Sequence, residues 1–228
     1  FPTRRSSDLA CEKDLAGKNV LITAGATQEK IDPVRFITNH STGKMGRAIA
    51  ENCMLRGAHV TLVNASVSVE PPMFVDVVNV TSAADMAEVV KSKASEQDII
   101  IMTAAVADFC PAHPADEKIK KKDSDLSIAL ERTDDILGWL GSHRREGQFL
   151  CGFSMETQNM LENSQAKLVK KNVDMICANN LKVAGAGFGV DTNVITLIIP
   201  QGAEELPLLS KEEAANRILD AAMALADR

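Results

Sequence analysis

Short apolar runs rich in β-branched side chains alternate with amphipathic stretches along most of the chain. The strand-like runs are NVLITA (19–24), HVTLVN (59–64), VDVVNV (75–80), DIIIMTA (98–104), FLCGFS (149–154), DMICAN (174–179) and VITLII (194–199). Several are apolar at almost every position, the pattern of a strand covered on both faces. Between them, residues 44–56, 82–95, 134–144, 159–171 and 211–226 carry helical spacing. In the first of these, Met45, Ile49 and Cys53 recur at i, i+4 and i+8 and so share the face that packs on the sheet. The alternation predicts an α/β fold with a doubly wound, mostly parallel sheet, a Rossmann-like three-layer sandwich with right-handed crossovers.

Two segments break the rhythm. Residues 105–125 are long, proline-containing and lysine-rich, and residues 185–191 form a glycine-rich loop before the last strand. Loops of this length in a compact domain are commonly lids or flaps, with plain disorder as the alternative. The opening FPTRRSSDLA fits neither template and reads as a linker remnant or a sequencing artefact. Residues 1–17 are set aside as a leader, and 18–228 are taken as one domain, the better prior for 228 residues.

Charge narrows the partners. A net charge of −6 gives no global basic field for nucleic acid or an anionic membrane, so any polyanion must be met by a local site. No apolar run approaches the roughly 18 to 20 residues that span a bilayer, and the N-terminus lacks a signal-peptide core; the chain reads as cytoplasmic. Cys11, Cys53, Cys110, Cys151 and Cys177 show no CxxC spacing, against both a disulfide framework and a zinc knuckle. His40, His59, His113 and His143 are not paired at ligand spacing, and no protein metal site is visible.

The candidate chemistry centres on RFITNHSTGKMGRAI (35–49), a glycine-rich loop running into a helix. A Walker loop would need glycine at Thr38 and Ser or Thr at Met45, and fails at both. A dinucleotide fingerprint would be GxGxxG directly after the first strand; here SxGxxG lies well past Ala24, and the second strand ends in Asn64 rather than an acid. What survives is an anion site. Gly43 and Gly46 permit close backbone approach and tight helix packing, the first-turn N–H groups point at a ligand, and Ser41 adds a donor. The plain alternative is that Ser41 caps the helix.

The ordered set TAGAT, IDPVRFITNHSTGKMG, TAAVADF, EKIKK, GFSMET, KKNVDMICANN and GFGVDTN resembles phosphopantothenoylcysteine synthetase over about Asn19 to the C-terminus. It is most similar to the bacterial, CTP-using type, commonly the C-terminal half of a fusion to phosphopantothenoylcysteine decarboxylase. The resemblance implies a ligase of coenzyme A synthesis. CTP activates 4′-phosphopantothenate as an acyl cytidylate, and the amine of L-cysteine displaces CMP. It also implies magnesium with the CTP, at least a homodimer in which one subunit's flap covers its neighbour's substrate, and FMN only with a decarboxylase half upstream.

The same resemblance implies roles for individual residues. Asn39 would bind the acyl cytidylate and Lys118, from the flap, the triphosphate; these are the candidate catalytic residues. Ser41, Gly43 and Gly46 would cradle the substrate phosphate. The nucleotide would meet Met102, Thr103, Ala104, Ala105, Asp108, Asp134, Asp135, Ile136, Leu137, Phe153, Lys167 and Lys171, the last two being four apart and hence on one helix face. Each residue has a plainer reading: Asn39 as a turn residue, Asp108 as a turn cap, the lysines of 118–122 as a solvated run, Phe153 as core. The chain departs from the family form at Ala26 and Asp134, where proline is usual, and at Thr42, where serine is. Rival functions are an NAD(P)-dependent oxidoreductase, disfavoured because a chain without tyrosine cannot supply the usual Tyr/Lys relay, and a non-catalytic nucleotide-binding module.

Overall fold

The computed structural model describes residues 12–121, 126–156, 159–180, 187 and 189–226. The strands are β1 (Asn19–Ala24), β2 (Gln28–Lys30), β3 (Phe36–Thr38), β4 (His59–Asn64), β5 (Asp76–Asn79), β6 (Ile99–Met102) and β7 (Phe109–Pro111), followed by β8 (Leu130–Arg132), β9 (Phe149–Glu156), β10 (Met175–Asn180), β11 (Thr192–Asn193), β12 (Ile195–Ile199), β13 (Gly202–Glu205) and β14 (Leu209–Ser210). The helices are α1 (Lys44–Leu55), α2 (Ala83–Lys93), α3 (Ile136–His143), α4 (Met160–Lys171) and α5 (Lys211–Ala226).

One eight-stranded sheet runs in the order β13-β12-β10-β9-β6-β1-β4-β5. From β5 to β10 every pair is parallel, whereas β12 joins β10, and β13 joins β12, antiparallel. The strand period of two divides the core. Val20, Ile22, Leu62, Ile101, Cys151 and Cys177 face α1 and α5, which bring Ile49, Cys53, Ile218 and Leu219. Leu21, Val63, Ile100, Leu150 and Ile176 face α2, α3 and α4, which bring Met86, Leu140 and Leu168. A fully buried Leu or Ile contributes roughly 1.5–3 kcal/mol, so this double covering is what holds the sheet. The expected three-layer, mostly parallel α/β architecture is present, with an antiparallel margin that the apolar run at 194–199 did not distinguish.

Local chemistry sets the helix starts. Ser82 Oγ accepts from the Asp85 N–H (3.1 Å) while Asp85 Oδ2 accepts from the Ser82 N–H (2.9 Å), a reciprocal cap on α2. The helix expected over 134–144 begins later, at Ile136, because Asp135 caps it by accepting from the Gly138 N–H at 3.0 Å. The strand expected over 98–104 ends at Met102, where the chain leaves the sheet for the crossover.

The described part of the segment 105–125, residues 105–121, is not structureless. It contributes β7, which pairs antiparallel with β8, and is tied to the β2–β3 hairpin through the Ala115 N–H to Ile31 O bond (2.9 Å). The leader through residue 11, Lys122 within the lysine run, and residues 185, 186 and 188 of the glycine-rich loop lie outside the described residues. Among the described residues, no helix is long and apolar enough to cross a membrane.

Candidate functional site

The opening loop and three strand ends build the site. At the end of β1, Gly25 has φ +85°, and a Cβ there would lie 2.5 Å from Ser66 O. Ala26 then bridges both Ser66 and Ala105, tying the segments after β1, β4 and β6 together. Gly43 has φ +77° and precedes α1; its missing Cβ would meet Val67 Cγ1 at 2.4 Å. The Ser68 N–H donates to Thr42 O at 3.1 Å, so the segment after β4 clamps the loop from outside.

Gly43, and not Ser41, occupies the position before the first turn of α1, and no side chain caps that turn. Its leading N–H groups, with the positive end of the helix dipole, are therefore left for a ligand. Gly46 plays a different part from its two companions. A Cβ there would sit 2.6 Å from Ala24 Cβ, so Gly46 seats α1 on β1, and it does not line the cleft.

The cleft above the carboxyl ends of β1, β6 and β9 has a volume of about 840 Å³. Asn39, Ser41 and Gly43 line one side; Met102, Thr103, Ala104, Ala105 and Asp108 form its floor and rim. Asp134, Asp135, Ile136 and Leu137 enter from the start of α3, Phe153 from β9, and Lys167 and Lys171 from α4. The floor is fixed by hydrogen bonds between strand ends. The Ala104 N–H donates to Thr23 Oγ1 (3.1 Å), the Ala107 N–H to Thr27 Oγ1 (3.0 Å), and the Thr133 N–H to Asp108 O (3.1 Å).

Asn39 Oδ1 accepts from the Ser41 N–H at 3.2 Å, which commits the acceptor half of the amide to the loop and leaves its NH2 group as the donor for a ligand. Lys167 Nζ donates to Phe153 O at 3.2 Å, and Lys171 pairs with Asp135. Burial pushes the Asp135 carboxyl upward, but Lys171 and the Gly138 N–H outweigh it and hold the group below the usual carboxylate range. Asp134 is paired with Lys91 of α2 at 2.5 Å. This arrangement depends on Gly141, whose absent Cβ would lie 1.7 Å from Lys171 O: only glycine lets α3 abut the end of α4.

Lys118 does not line this cleft. It is exposed, beside Ile119, whose N–H donates to Asp32 Oδ2 (3.1 Å) and whose carbonyl accepts from Arg35 (3.0 Å). Asp32, itself held well below the usual carboxylate range by the Arg35 guanidinium, thus anchors the flap to the turn before β3.

Sequence reasoning missed Lys44, Arg132, Lys170, Asn179, Asn193 and Lys211, all of which line the cleft. Asn193 is 2% exposed and donates to Asn179 Oδ1 at 2.9 Å, a polar pair with no apolar role at that depth. The cations give an acidic protein a basic cleft. Among the described residues, no group of three or more His, Cys, Asp or Glu is placed to hold a metal ion.

Residues 15–225 match the model of the DNA/pantothenate metabolism flavoprotein C-terminal domain. The chain is 48% identical over 213 residues to the coenzyme A biosynthesis bifunctional protein CoaBC of Bacillus subtilis, covering 92% of this chain and 52% of that protein. It is 45% identical over 209 residues to the corresponding protein of Vibrio vulnificus, covering 91% and 52%. The chain thus spans about half the length of the curated relatives it matches. Its fold is similar to the crystal structure of the C-terminal domain of a CoaBC protein, with a TM-score of 0.81, 42% identity, and coverage of 95% of this chain and 99% of that one. With a family match over residues 15–225 and this extent of structural likeness, the chain belongs to the DNA/pantothenate metabolism flavoprotein C-terminal domain family, the domain found as the C-terminal part of CoaBC.

Proposed function

We infer that the chain is a phosphopantothenate–cysteine ligase of coenzyme A biosynthesis. The observation that carries this reading is the uncapped start of α1, flanked by Asn39, facing the lysines of α4 across one cleft. An anion site and a cationic wall in a single chamber suit a reaction that joins a phosphorylated acid to a nucleotide.

In the first step the carboxylate of 4′-phosphopantothenate attacks the α-phosphorus of CTP. The acyl cytidylate forms and pyrophosphate leaves. In the second, the amine of L-cysteine attacks the acyl carbon, CMP leaves, and the amine loses its proton. The Asn39 NH2 group would donate to the acyl and phosphoryl oxygens without adding charge. Ser41 and the α1 N–H groups would hold the substrate phosphate. Lys167, Lys170 and Lys171 would meet the nucleotide's phosphates, with Asp108 and Phe153 toward ribose and base. Of the carboxylates lining the cleft, Asp134 and Asp135 are already paired with lysines. A magnesium ion would come with the triphosphate. FMN and decarboxylation, which the resemblance ties to the other half of the relatives, are not assigned to this cleft.

Two measurements test the reading. Pyrophosphate release from CTP should require phosphopantothenate and not cysteine, and ATP in place of CTP should cost orders of magnitude in rate. Release that depends on cysteine removes the two-step mechanism.

Lys118 enters the mechanism only if it reaches a neighbour's cleft. Phe36, Phe109 and Leu130 on the two hairpins are 48%, 44% and 50% exposed, an apolar surface of the kind subunits bury. Sedimentation should give twice the chain mass at micromolar concentration. A monomer that turns over at full rate excludes the shared site.

A further inference from the structure

Lys44 opens α1. An ammonium in the first turn of a helix faces the positive end of the dipole, a placement the helix itself disfavours. It is compensated from outside: Lys44 Nζ donates to Gly189 O at 2.9 Å and pairs with Asp191 Oδ1 at 2.6 Å. The Lys44 side chain is 27% exposed and the Asp191 side chain 90%, so water has access to the pair and it is weak.

The backbone of the same loop is held separately. Lys211, buried at the start of α5, donates from Nζ to Gly187 O (3.0 Å) and to Val190 O, and its N–H donates to Asp191 O at 2.9 Å. Burial lowers the Lys211 pKa, and the nearby Lys44 charge lowers it further, so the two ammoniums feel each other. The loop backbone is pinned while its one carboxylate is replaceable. Lys44 lines the same cleft as Ser41 and Gly43.

We propose that Asp191 holds the Lys44 ammonium in reserve, and that a phosphate bound at the start of α1 takes it over, making Lys44 a phosphate-binding residue and Asp191 its competitor. The proposal rests on the reading of this cleft as a phosphate site. A phosphate dianion at the helix start carries more charge and more acceptor oxygens than one exposed carboxylate, and it also gains from the dipole. The phosphate comes either from the acid substrate or from the end of the nucleotide's triphosphate, and the chemistry of exchange is the same for both.

The two partners then act with opposite sign. Titration calorimetry of the wild-type chain, Asp191→Asn, Lys44→Met, Lys44→Arg and the Lys44→Met/Asp191→Asn double variant, with 4′-phosphopantothenate, CTP and inorganic pyrophosphate separately, reads this directly. Asp191→Asn should tighten the relevant ligand about two- to fivefold, the scale of an exposed ion pair. Lys44→Met should weaken it about ten- to a hundredfold, the scale of a charged hydrogen bond, and Lys44→Arg should restore most of the loss. In the Lys44→Met background, Asp191→Asn should change nothing. The ligand that follows this pattern is the source of the phosphate. The proposal falls if Asp191→Asn weakens or leaves unchanged the binding of all three ligands, or if its gain persists without Lys44. Normal binding of both substrates without the sign pattern removes the exchange alone. The sign pattern with pyrophosphate, in a protein that binds neither substrate, removes the ligase reading and leaves the exchange standing.

Discussion

Replacing Asn39 with aspartate should lower kcat by about 10²- to 10³-fold while leaving the melting temperature nearly unchanged. Asn39 Oδ1 accepts from the Ser41 N–H, and a carboxylate oxygen accepts equally well, so the turn that presents the residue survives the change. What disappears is the NH2 donor, and what arrives is a negative charge beside where the proposed acyl cytidylate would carry its phosphoryl group. Single-turnover measurement of pyrophosphate release and of amide formation, with a thermal melt alongside, separates the two effects. A kcat within about threefold of wild type would remove Asn39 from the chemistry.

Gly141→Ala should cost about 3 kcal/mol of stability, the upper range for an overpacked site. The three atoms that a Cβ would meet, Lys171 O at 1.7 Å, Lys171 C at 2.9 Å and Asn172 O at 3.1 Å, are all backbone, so no rotamer change relieves the contact. The helices must separate, which breaks the Asn172 Nδ2 to Gly141 O bond (2.7 Å) and draws Asp135 from Lys171. For a domain of this size the melting temperature should fall by about 6–12 °C. The Michaelis constant for the nucleotide should rise with it. An unchanged melt would mean that α3 does not press on α4 as described.

The inner strands of the sheet were legible because they are buried on both sides. IIIM at 99–102 is apolar at every position and ITLII at 195–199 at all but Thr196, a pattern that only a covered strand tolerates. The small hairpins were not legible, since β3 and β8 are three residues long and β8 is exposed throughout, with no alternation to detect. Strand direction was equally hidden: ITLII has the same composition whether it runs with its neighbour or against it, and only the short Pro200–Gln201 turn into β13 betrays a hairpin.

For the site, the loop at 39–43 was readable because Gly43 must adopt φ +77° and no side chain could replace it. Gly46 shared the same motif but serves packing, a distinction that spacing cannot make. Lys44 and Lys211 were missed although a signal existed, since a lysine at the first position of a helix works against the dipole and asks for a reason. Asn193 carried less signal, because nothing in DTN tells that its side chain is buried.

The two margins of the sheet bear on how copies of this chain can meet. An open sheet ends in rows of unpaired N–H and C=O groups that invite another strand. Here one margin is β13, whose four residues are all exposed and end in Glu204 and Glu205, with Arg217 holding Glu204 at 2.9 Å. Two copies brought margin to margin would set these carboxylates against each other, so ribbon-like growth through β13 is opposed by charge.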